Sequence, residues 1–204
     1  MKLPLSICFK GARDYIHGTD MLNAAAQCVL RHLGIAQIEQ VNFMINRMTA
    51  HKMSIKLVKE GGAEAAATTP VATLTFEADG ASWLARLEEE EGQPDCRYPY
   101  DEESIVACCR VDADAGSIRH EGRSAHTPIE VIVAMTKALH LARFPDSPGK
   151  WVFCRWEGEH WPLPMLEGAA TVTLTKSLGS RLTKSTVMLG NGVIGSIYFS
   201  AKVK

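Results

Sequence analysis

The sequence predicts an α+β fold made of two similar halves, each with one long helix and a set of antiparallel strands. Three observations predict it. Helical periodicity is concentrated in two segments, about 19–33 and 127–144. The segments after each helix alternate apolar and polar residues, as strands do. The order strand, helix, four strands occurs twice at nearly constant spacing, which indicates a duplicated unit.

The first helix is predicted from Thr19 to Leu33. Thr19 is a typical N-cap residue, Asp20 suits the positive end of the helix dipole, and Gly34 is a typical stop. The positions expected to form its buried face recur at helical spacing and are Leu22, Ala25, Ala26, Val29 and Leu33.

The second helix begins at a capping box, Thr127-Pro128-Ile129-Glu130, and Pro145 ends it. The helix is apolar on most sides, which is typical of a helix enclosed by a sheet and a neighbour. Its polar positions Glu130, Lys137 and His140 are expected to form the side nearer to solvent.

Period-two patterns rich in β-branched and aromatic residues predict the strands. After helix one they cover 41–45, 53–57, 71–76 and 83–87, and after helix two 151–154, 171–175, 182–189 and 193–199. A leading strand is expected before each helix, at Leu3–Phe9 and at Ser104–Val111. The hairpin pairs Asp79-Gly80 and Asn191-Gly192 precede the last strand of each half and lie 112 residues apart.

The segment 88–101 is acidic and contains Pro94 and Pro99, so it is interpreted as a solvated connection between the halves. The predicted domains are therefore residues 1–98 and 99–204, two repeats packed as one globular unit. Residue identity between them is low, and the inference depends on element order and turn position.

A helix followed by four antiparallel strands buries its apolar face best when the sheet wraps around it, and this pattern resembles the hot-dog fold. The duplication is similar to a double hot-dog, with two antiparallel sheets each wrapped around one long helix. The resemblance covers most of the chain, but it is architectural. The sequence has neither the HGHFPG-type segment of fatty-acid dehydratases nor the Asp-x4-His segment of hydratases.

The resemblance implies a substrate, since members of that superfamily mostly act on acyl thioesters of coenzyme A or acyl-carrier protein. Their sites lie where a helix N-terminus of one unit faces the other unit. Free N–H groups and the helix dipole at such an end can stabilise the negative charge that develops on a thioester oxygen. A carboxylate or histidine nearby would complete the chemistry.

The entrance to helix one is rich in polar side chains. His17 or Asp20 is predicted to be the general base, with Asn23 one turn later as an orienting group. Gly18 would allow a close approach of substrate. The predicted substrate-binding residues of this entrance are Arg13, Tyr15, Gly18 and Thr19. The structural alternative is that Thr19 and Asp20 only stabilise the helix start and that His17 is a loop residue without a role.

At the second entrance, His126 and Thr127 are predicted to bind substrate and Glu130 to be catalytic. His17 with Glu130 would suit a dehydratase-like acid and base contributed by different halves. The structural alternative is that Glu130 serves only the capping box.

The predicted function is acyl-thioester hydrolysis on coenzyme A or acyl-carrier protein. The alternatives are a 3-hydroxyacyl-thioester dehydratase or hydratase, and a non-catalytic domain that binds an acyl chain or a protein. No cofactor is expected, since coenzyme A or phosphopantetheine enters as part of the substrate. The expected partner is a small acyl thioester or an acyl-carrier protein, and a monomer or a homodimer of fused pairs would suffice.

Composition excludes several other classes. The 204 residues include 22 Lys and Arg against 23 Asp and Glu, so no basic surface indicates a nucleic-acid or membrane partner. The seven histidines form no metal-binding motif, and no metal is expected.

The apolar run at the N-terminus is too short for a signal-peptide core. The six cysteines form no CxxC pair and are expected to be reduced, buried thiols in a cytoplasmic protein.

Overall fold

The structure is a computed structural model that describes residues 2–59, 69–147, 149–179 and 181–203. The chain divides into two compact units. Unit 1 is Met1–Tyr100 with Glu157–Pro162, and unit 2 is Asp101–Trp156 with Leu163–Lys204.

Unit 1 contains one helix and seven strands among its described residues. In chain order these are β1 (Lys2–Leu5), β2 (Phe9–Lys10), α1 (Gly18–Leu33), β3 (Ile38–Ile45), β4 (Met53–Lys59), β5 (Ala72–Ala78), β6 (Ala81–Glu89) and β7 (Arg97–Tyr98). The sheet order is β1-β4-β6-β5-β3, and each neighbouring pair is antiparallel. Strands β2 and β7 form a separate parallel pair.

Helix α1 confirms the predicted helix one and extends it by one residue at its start. Its N-cap is His17, whose carbonyl accepts from the N–H groups of Asp20 and Met21, so Thr19 lies inside the first turn and is not the cap. At the other end Gly34 has φ 69°, the left-handed conformation that glycine adopts without strain. The apolar face packs against β1, β3, β5 and β6. Its buried apolar residues are Met21, Leu22, Ala25, Ala26 and Val29.

The four strands predicted after helix one correspond to β3, β4, β5 and β6. In β5 the burial alternates along the strand, as expected of a strand with one face on the core. The Asp79-Gly80 hairpin lies between β5 and β6, and both residues have positive φ, 50° and 70°. That geometry is typical of the tight turn that Asp-Gly favours.

The leading strand predicted at Leu3–Phe9 is interrupted in the structure. Its first part is β1, which pairs with β4 at the end of the sheet order, where Pro4 removes no hydrogen bond from a central strand. Phe9 belongs to β2 and pairs with β7. Strand β7 and the end of β6 both lie within 88–101, so the interpretation of that segment as only a solvated connection is wrong.

Unit 2 contains two helices and six strands among its described residues. In chain order these are α2 (Glu102–Ala107), β8 (Cys109–Asp112), β9 (Ser117–His120), α3 (Pro128–Arg143), β10 (Gly149–Trp161), β11 (Ala170–Leu178), β12 (Leu182–Leu189) and β13 (Gly192–Val203). The last residues of β10, 157–161, are assigned to unit 1. The sheet order is β10-β13-β12-β11-β9-β8.

The leading strand predicted at Ser104–Val111 is wrong in its first half, because α2 occupies Glu102–Ala107 and only β8 is extended. Asp101 explains the helix: its side chain accepts a hydrogen bond from the Ser104 N–H and caps the first turn. The second hairpin is also displaced by one residue. Its loop is Gly190-Asn191, with φ 56° at Gly190, and Gly192 already begins β13.

Helix α3 confirms the predicted helix two and its capping box. Glu130 Oε2 accepts from the Thr127 backbone N–H at 2.8 Å and from the Thr127 hydroxyl at 2.7 Å. As predicted, the helix is buried on most sides. The expectation that Glu130 and His140 lie on its solvent side is wrong, because Glu130 is 7% exposed and His140 is fully buried.

His140 occupies an aromatic environment in unit 2. Its ring centroid lies 4.4 Å from that of Trp151 and 5.2 Å from that of Phe199. Nδ1 donates to the Thr136 carbonyl at 2.5 Å, and Nε2 lies 2.6 Å from the Thr183 hydroxyl, which donates to it when the imidazole is neutral. Burial lowers the pKa of His140 below 6.5, because the apolar surroundings disfavour the imidazolium.

We expect the free energy of unfolding to fall as the pH drops below about 6.5, since the unfolded state, with an unperturbed histidine pKa, then binds more protons than the folded state. One histidine contributes at most about 1.4 kcal/mol per pH unit. Urea unfolding at pH 7.5 and 5.5 measures the effect. His140→Gln should reduce the pH dependence, and the exposed His32→Gln is the matched control. An equal slope in wild type and His140→Gln would contradict the prediction.

The expectation of six reduced, buried cysteines is wrong. Cys8 and Cys96 form a disulfide across 88 residues of sequence. Cys108 is exposed, and Cys28, Cys109 and Cys154 are half-buried. Burial raises the pKa of the Cys109 and Cys154 thiols to about 11, so both are protonated at neutral pH.

In the described part of the chain, the helices lack the combination of length and hydropathy that crossing a bilayer requires.

Candidate active site

The entrance to α1 is positioned by the paired strands β2 and β7. The Cys8–Cys96 disulfide lies next to this pair, and the Phe9 N–H donates to the Cys96 carbonyl at 3.0 Å. In register, Lys10 lies opposite Tyr98. Ile16, which is buried, donates its N–H to the Thr49 carbonyl at 2.8 Å and anchors the loop before the helix. The pair thus carries Lys10 and Tyr98 to the first turn of α1.

Lys10 is fully buried, which is rare for a lysine. Its ammonium donates to the Thr19 hydroxyl oxygen at 3.1 Å and to Asp20 Oδ1 at 3.0 Å. It also lies 4.4 Å from the ring centroid of Tyr100 and 5.6 Å from that of Tyr98. An anion, a hydroxyl and two aromatic rings therefore replace the water that this charge loses on burial.

Three donors surround Asp20 Oδ1. The Tyr98 hydroxyl donates at 2.8 Å and Lys10 at 3.0 Å, and the Thr19 hydroxyl lies 3.4 Å away. The Asp20 side chain is 11% exposed, so the carboxylate is largely shielded from solvent while its charge is paired. The Asp20 carboxylate, held in one orientation in the first turn of α1, is therefore a candidate proton acceptor.

His17 joins the same cluster through Thr19, since its Nδ1 lies 2.7 Å from the Thr19 hydroxyl oxygen. The Thr19 oxygen accepts from Lys10, so its single proton points either to His17 Nδ1 or to Asp20 Oδ1. The hydroxyl therefore couples the imidazole to the carboxylate. We name these four residues, Lys10, His17, Thr19 and Asp20, the entrance cluster.

The structure brings His17, Thr19 and Asp20 of the predicted set together, within unit 1. Arg13 lies beside them, with its guanidinium carbon 5.2 Å from the Tyr100 ring centroid. Gly18 is the first residue of α1, and Asn23 follows Asp20 by three residues on the same helix face and is half-buried. Tyr15 is half-buried in the preceding loop. The roles of Arg13, Tyr15, Gly18 and Asn23 stay predictions.

The second predicted entrance lies in unit 2. Glu130 forms the capping box with Thr127. This is the structural role that was the alternative to catalysis for this residue. His126 is half-buried, and its backbone N–H donates to the Ser124 hydroxyl at 3.1 Å. Substrate binding by His126 and Thr127, catalysis by Glu130 and the pairing of His17 with Glu130 stay predictions.

Sequence reasoning missed Lys10, Tyr98 and Tyr100. Lys10 lies outside the predicted site residues, and the two tyrosines lie in the segment 88–101, which was interpreted as a solvated connection. One signal could have found the tyrosines, because Tyr98 and Tyr100 alternate with Arg97 and Pro99 as residues on one face of a strand do. Their contact with α1 spans 78 residues of sequence for Tyr98, which no local pattern reports.

Among the described residues, no group of three or more His, Cys, Asp and Glu side chains is arranged to hold a metal ion. The entrance cluster brings together an ammonium, an imidazole, a hydroxyl and a carboxylate.

No protein-family model matches the chain, and no curated protein matches its sequence. Solved structures do match. The tesB protein of Mycobacterium avium subsp. paratuberculosis is 13% identical with a TM-score of 0.51, and the match covers 95% of this chain and 89% of that one. A candidate thioesterase from Novosphingobium aromaticivorans is 8% identical with a TM-score of 0.52, covering 100% and 94%.

A third match, at a TM-score of 0.47 and 11% identity, is the dehydratase domain of PpsC from Mycobacterium tuberculosis in complex with C12:1-CoA, covering 98% and 92%. At these identities, likeness establishes fold. The first two matches span nearly the whole of both chains and agree with the mostly antiparallel strands and few helices of this structure. The predicted resemblance is thereby confirmed: this chain has the hot-dog fold.

Proposed function

We propose that the protein is an acyl-thioester hydrolase and that its active site is the entrance cluster. The observation that carries the proposal is the paired, largely shielded Asp20 carboxylate in the first turn of α1, joined through Thr19 to His17. The fold supports the choice of substrate, because two structures that share it over nearly their full length are a tesB protein and a candidate thioesterase.

In the proposed reaction, Asp20 takes a proton from a water molecule, and the resulting hydroxide attacks the thioester carbonyl carbon. The carbonyl oxygen becomes an oxyanion. When it collapses, the carbon–sulfur bond breaks, the thiol leaves with a proton, and a carboxylic acid remains. Water is consumed and no oxidant is needed. In this proposal His17, which is hydrogen-bonded to Thr19, passes the proton from Asp20 to the leaving sulfur.

We propose that the oxyanion binds at the start of α1. Helix geometry leaves the N–H groups of Gly18 and Thr19 without an intrahelical acceptor, whereas those of Asp20 and Met21 already donate to the His17 carbonyl. Two amides at the positive end of the helix dipole favour negative charge. In this proposal Arg13, Tyr15 and Gly18 contact the substrate and Asn23 orients the water.

The finer architecture is part of the proposal. We propose a double hot-dog in which residues 1–98 and 99–204 are repeats and in which each sheet wraps around one helix, α1 or α3. Each helix does pack against strands of its own unit, which supports this arrangement. Coenzyme A or an acyl-carrier protein would deliver the acyl group, and a monomer or a dimer of fused pairs would serve.

The predicted cytoplasmic location stays a prediction. The Cys8–Cys96 disulfide weighs against it, because structural disulfides persist mainly in oxidising compartments.

The test is incubation of the protein with a panel of acyl-CoAs of increasing chain length, with free thiol detected by a chromogenic disulfide. Release of thiol well above the rate without enzyme is the expected result. A parallel arm supplies 3-hydroxyacyl-CoA and enoyl-CoA and follows the enoyl absorbance. Water loss or addition without thiol release would replace hydrolysis by the dehydratase alternative, and silence in both arms would favour a binding domain.

A further inference from the structure

We propose that Lys10 is a positioning residue for the reaction. Lys10 fixes the orientation of the Asp20 carboxylate together with Tyr98, and it also fixes the orientation of the Thr19 hydroxyl. The inference rests on the proposed function, which assigns Asp20 as the base. Nothing in the sequence motifs indicated a role for Lys10 or Tyr98.

A buried lysine needs an explanation. Removing an ammonium from water is costly, and a pair of well-packed apolar side chains usually stabilises a core at least as well as a buried ion pair. Lys10 is nevertheless fully buried on the short strand β2, with its charge against the first turn of α1. A role in the chemistry of Asp20 accounts for a charge that stability alone does not require.

The contacts show that Lys10 acts through other residues. Its ammonium reaches Thr19 and Asp20, and the rings of Tyr98 and Tyr100 lie against it. These partners come from α1 and from the segment of β7, and they surround the ammonium on several sides. It is therefore directed at the side chains of the entrance cluster and works by orienting them.

Lys10 affects Asp20 because its hydrogen bond and that of Tyr98 converge on one carboxylate oxygen. Lys10 at 3.0 Å and Tyr98 at 2.8 Å both donate to Oδ1, which fixes the rotation of the carboxylate about its last torsion. A base held in the productive orientation loses no entropy when the reaction begins, and small displacements of such a group are costly in rate.

The effect on Thr19 follows from donor counting. Because Thr19 Oγ1 accepts from Lys10, its own proton is available to His17 Nδ1 at 2.7 Å. When this proton points to Nδ1, the neutral imidazole has its other nitrogen protonated and able to donate. Lys10 thus sets both the carboxylate and the histidine through one ammonium.

The test compares Lys10→Met, Tyr98→Phe and the control Lys52→Met, whose lysine is half-exposed in the same unit and pairs with Asp95. We expect Lys10→Met to lower kcat at least about tenfold and Tyr98→Phe about threefold or more, with KM unchanged, because the proposed role of both side chains is to orient Asp20. Lys52→Met should retain the wild-type kcat. Circular dichroism establishes that each variant is folded at the assay temperature.

A double-mutant cycle separates positioning from mere packing. In a background that carries both Asp20→Asn and His17→Ala, Lys10→Met should change the residual kcat less than about twofold, because both groups that it positions are already replaced. A purely structural lysine would lower kcat again by its full factor, which would overturn the inference. If Lys10→Met does not fold, Tyr98→Phe decides, and a wild-type kcat in that variant overturns it.

Failure of this inference differs visibly from failure of the proposed function. A wild type that releases thiol, with equally active Lys10→Met and Tyr98→Phe, overturns the positioning role alone. A wild type that releases no thiol from any acyl-CoA overturns both.

Discussion

Asp20→Asn is expected to lower the turnover of acyl thioesters at least about 100-fold, the usual cost of losing a general base. The amide keeps the size of the carboxylate but cannot accept the proton from water. His17→Ala is expected to lower turnover by a similar factor, because the leaving thiol then lacks its proton donor. The measurement is kcat with the acyl-CoA that the panel identifies as the best substrate.

The structure dictates the choice of Asn over Ala at position 20. Asp20 is the partner of the buried Lys10, and removing one partner of a buried ion pair typically costs about 3–5 kcal/mol of stability. A loss of activity in the Asp20→Ala variant could therefore result from unfolding alone. Asparagine retains an oxygen that accepts from Lys10 and Tyr98, and its unfolding curve should be recorded beside the activity.

Two matched variants complete this experiment. Asp14→Asn changes an exposed carboxylate six residues before Asp20, and His32→Ala changes an exposed histidine at the other end of α1. Both should keep wild-type turnover. If Asp20→Asn and His17→Ala are folded and as active as wild type, the assignment of the entrance cluster as the active site is wrong.

The second large effect is expected from the disulfide. Replacing Cys8 and Cys96 together by serine should lower the free energy of unfolding by about 2–4 kcal/mol, because the bond closes a long loop and restricts the unfolded chain. The separation of 88 residues places this loop among those for which the entropic effect is large. Urea unfolding of both proteins, without reductant, measures the difference.

The same variant should also be less active, because the disulfide adjoins the pair β2 and β7 that carries Lys10 and Tyr98 to Asp20. Cys108→Ser is the matched control, since Cys108 is exposed and unbonded, and substitutions of that kind usually change stability by less than about 0.5 kcal/mol. A double serine variant as stable as wild type would contradict the prediction. Labelling of free thiols in the unfolded wild type, without reductant, should detect four of the six cysteines if the bond is formed.

The elements with strong periodic patterns were predictable. Helix α3 has a capping box, a proline at its first position and a proline after its end, and the structure places it at Pro128–Arg143. Strand β12 has the predicted bounds, Leu182–Leu189. These features are local: the residues that make each signal lie within a few positions of each other, so the sequence contains the whole physical cause.

Elements that depend on distant partners were not predictable. Helix α2 has an apolar run that resembles a strand, and its packing against α3, a contact between distant residues, stabilises it as a helix together with the local Asp101 cap. Strand β10 continues to Trp161, well beyond the predicted 154, because hydrogen bonding to neighbouring strands sets the end of a strand more than its own composition does.

The candidate site divides in the same way. The sequence by itself determined that His17, Thr19 and Asp20 meet at the start of a helix, because four consecutive residues in a first turn cannot be far apart. Only the tertiary structure decided what surrounds them: Lys10 reaches Asp20 across 10 residues and Tyr98 across 78. It also decided the Cys8–Cys96 bond and the burial of His140 and Glu130. Such contacts depend on how strands and helices pack, and the free energy of that packing is shared by the whole unit and is not contained in any short segment.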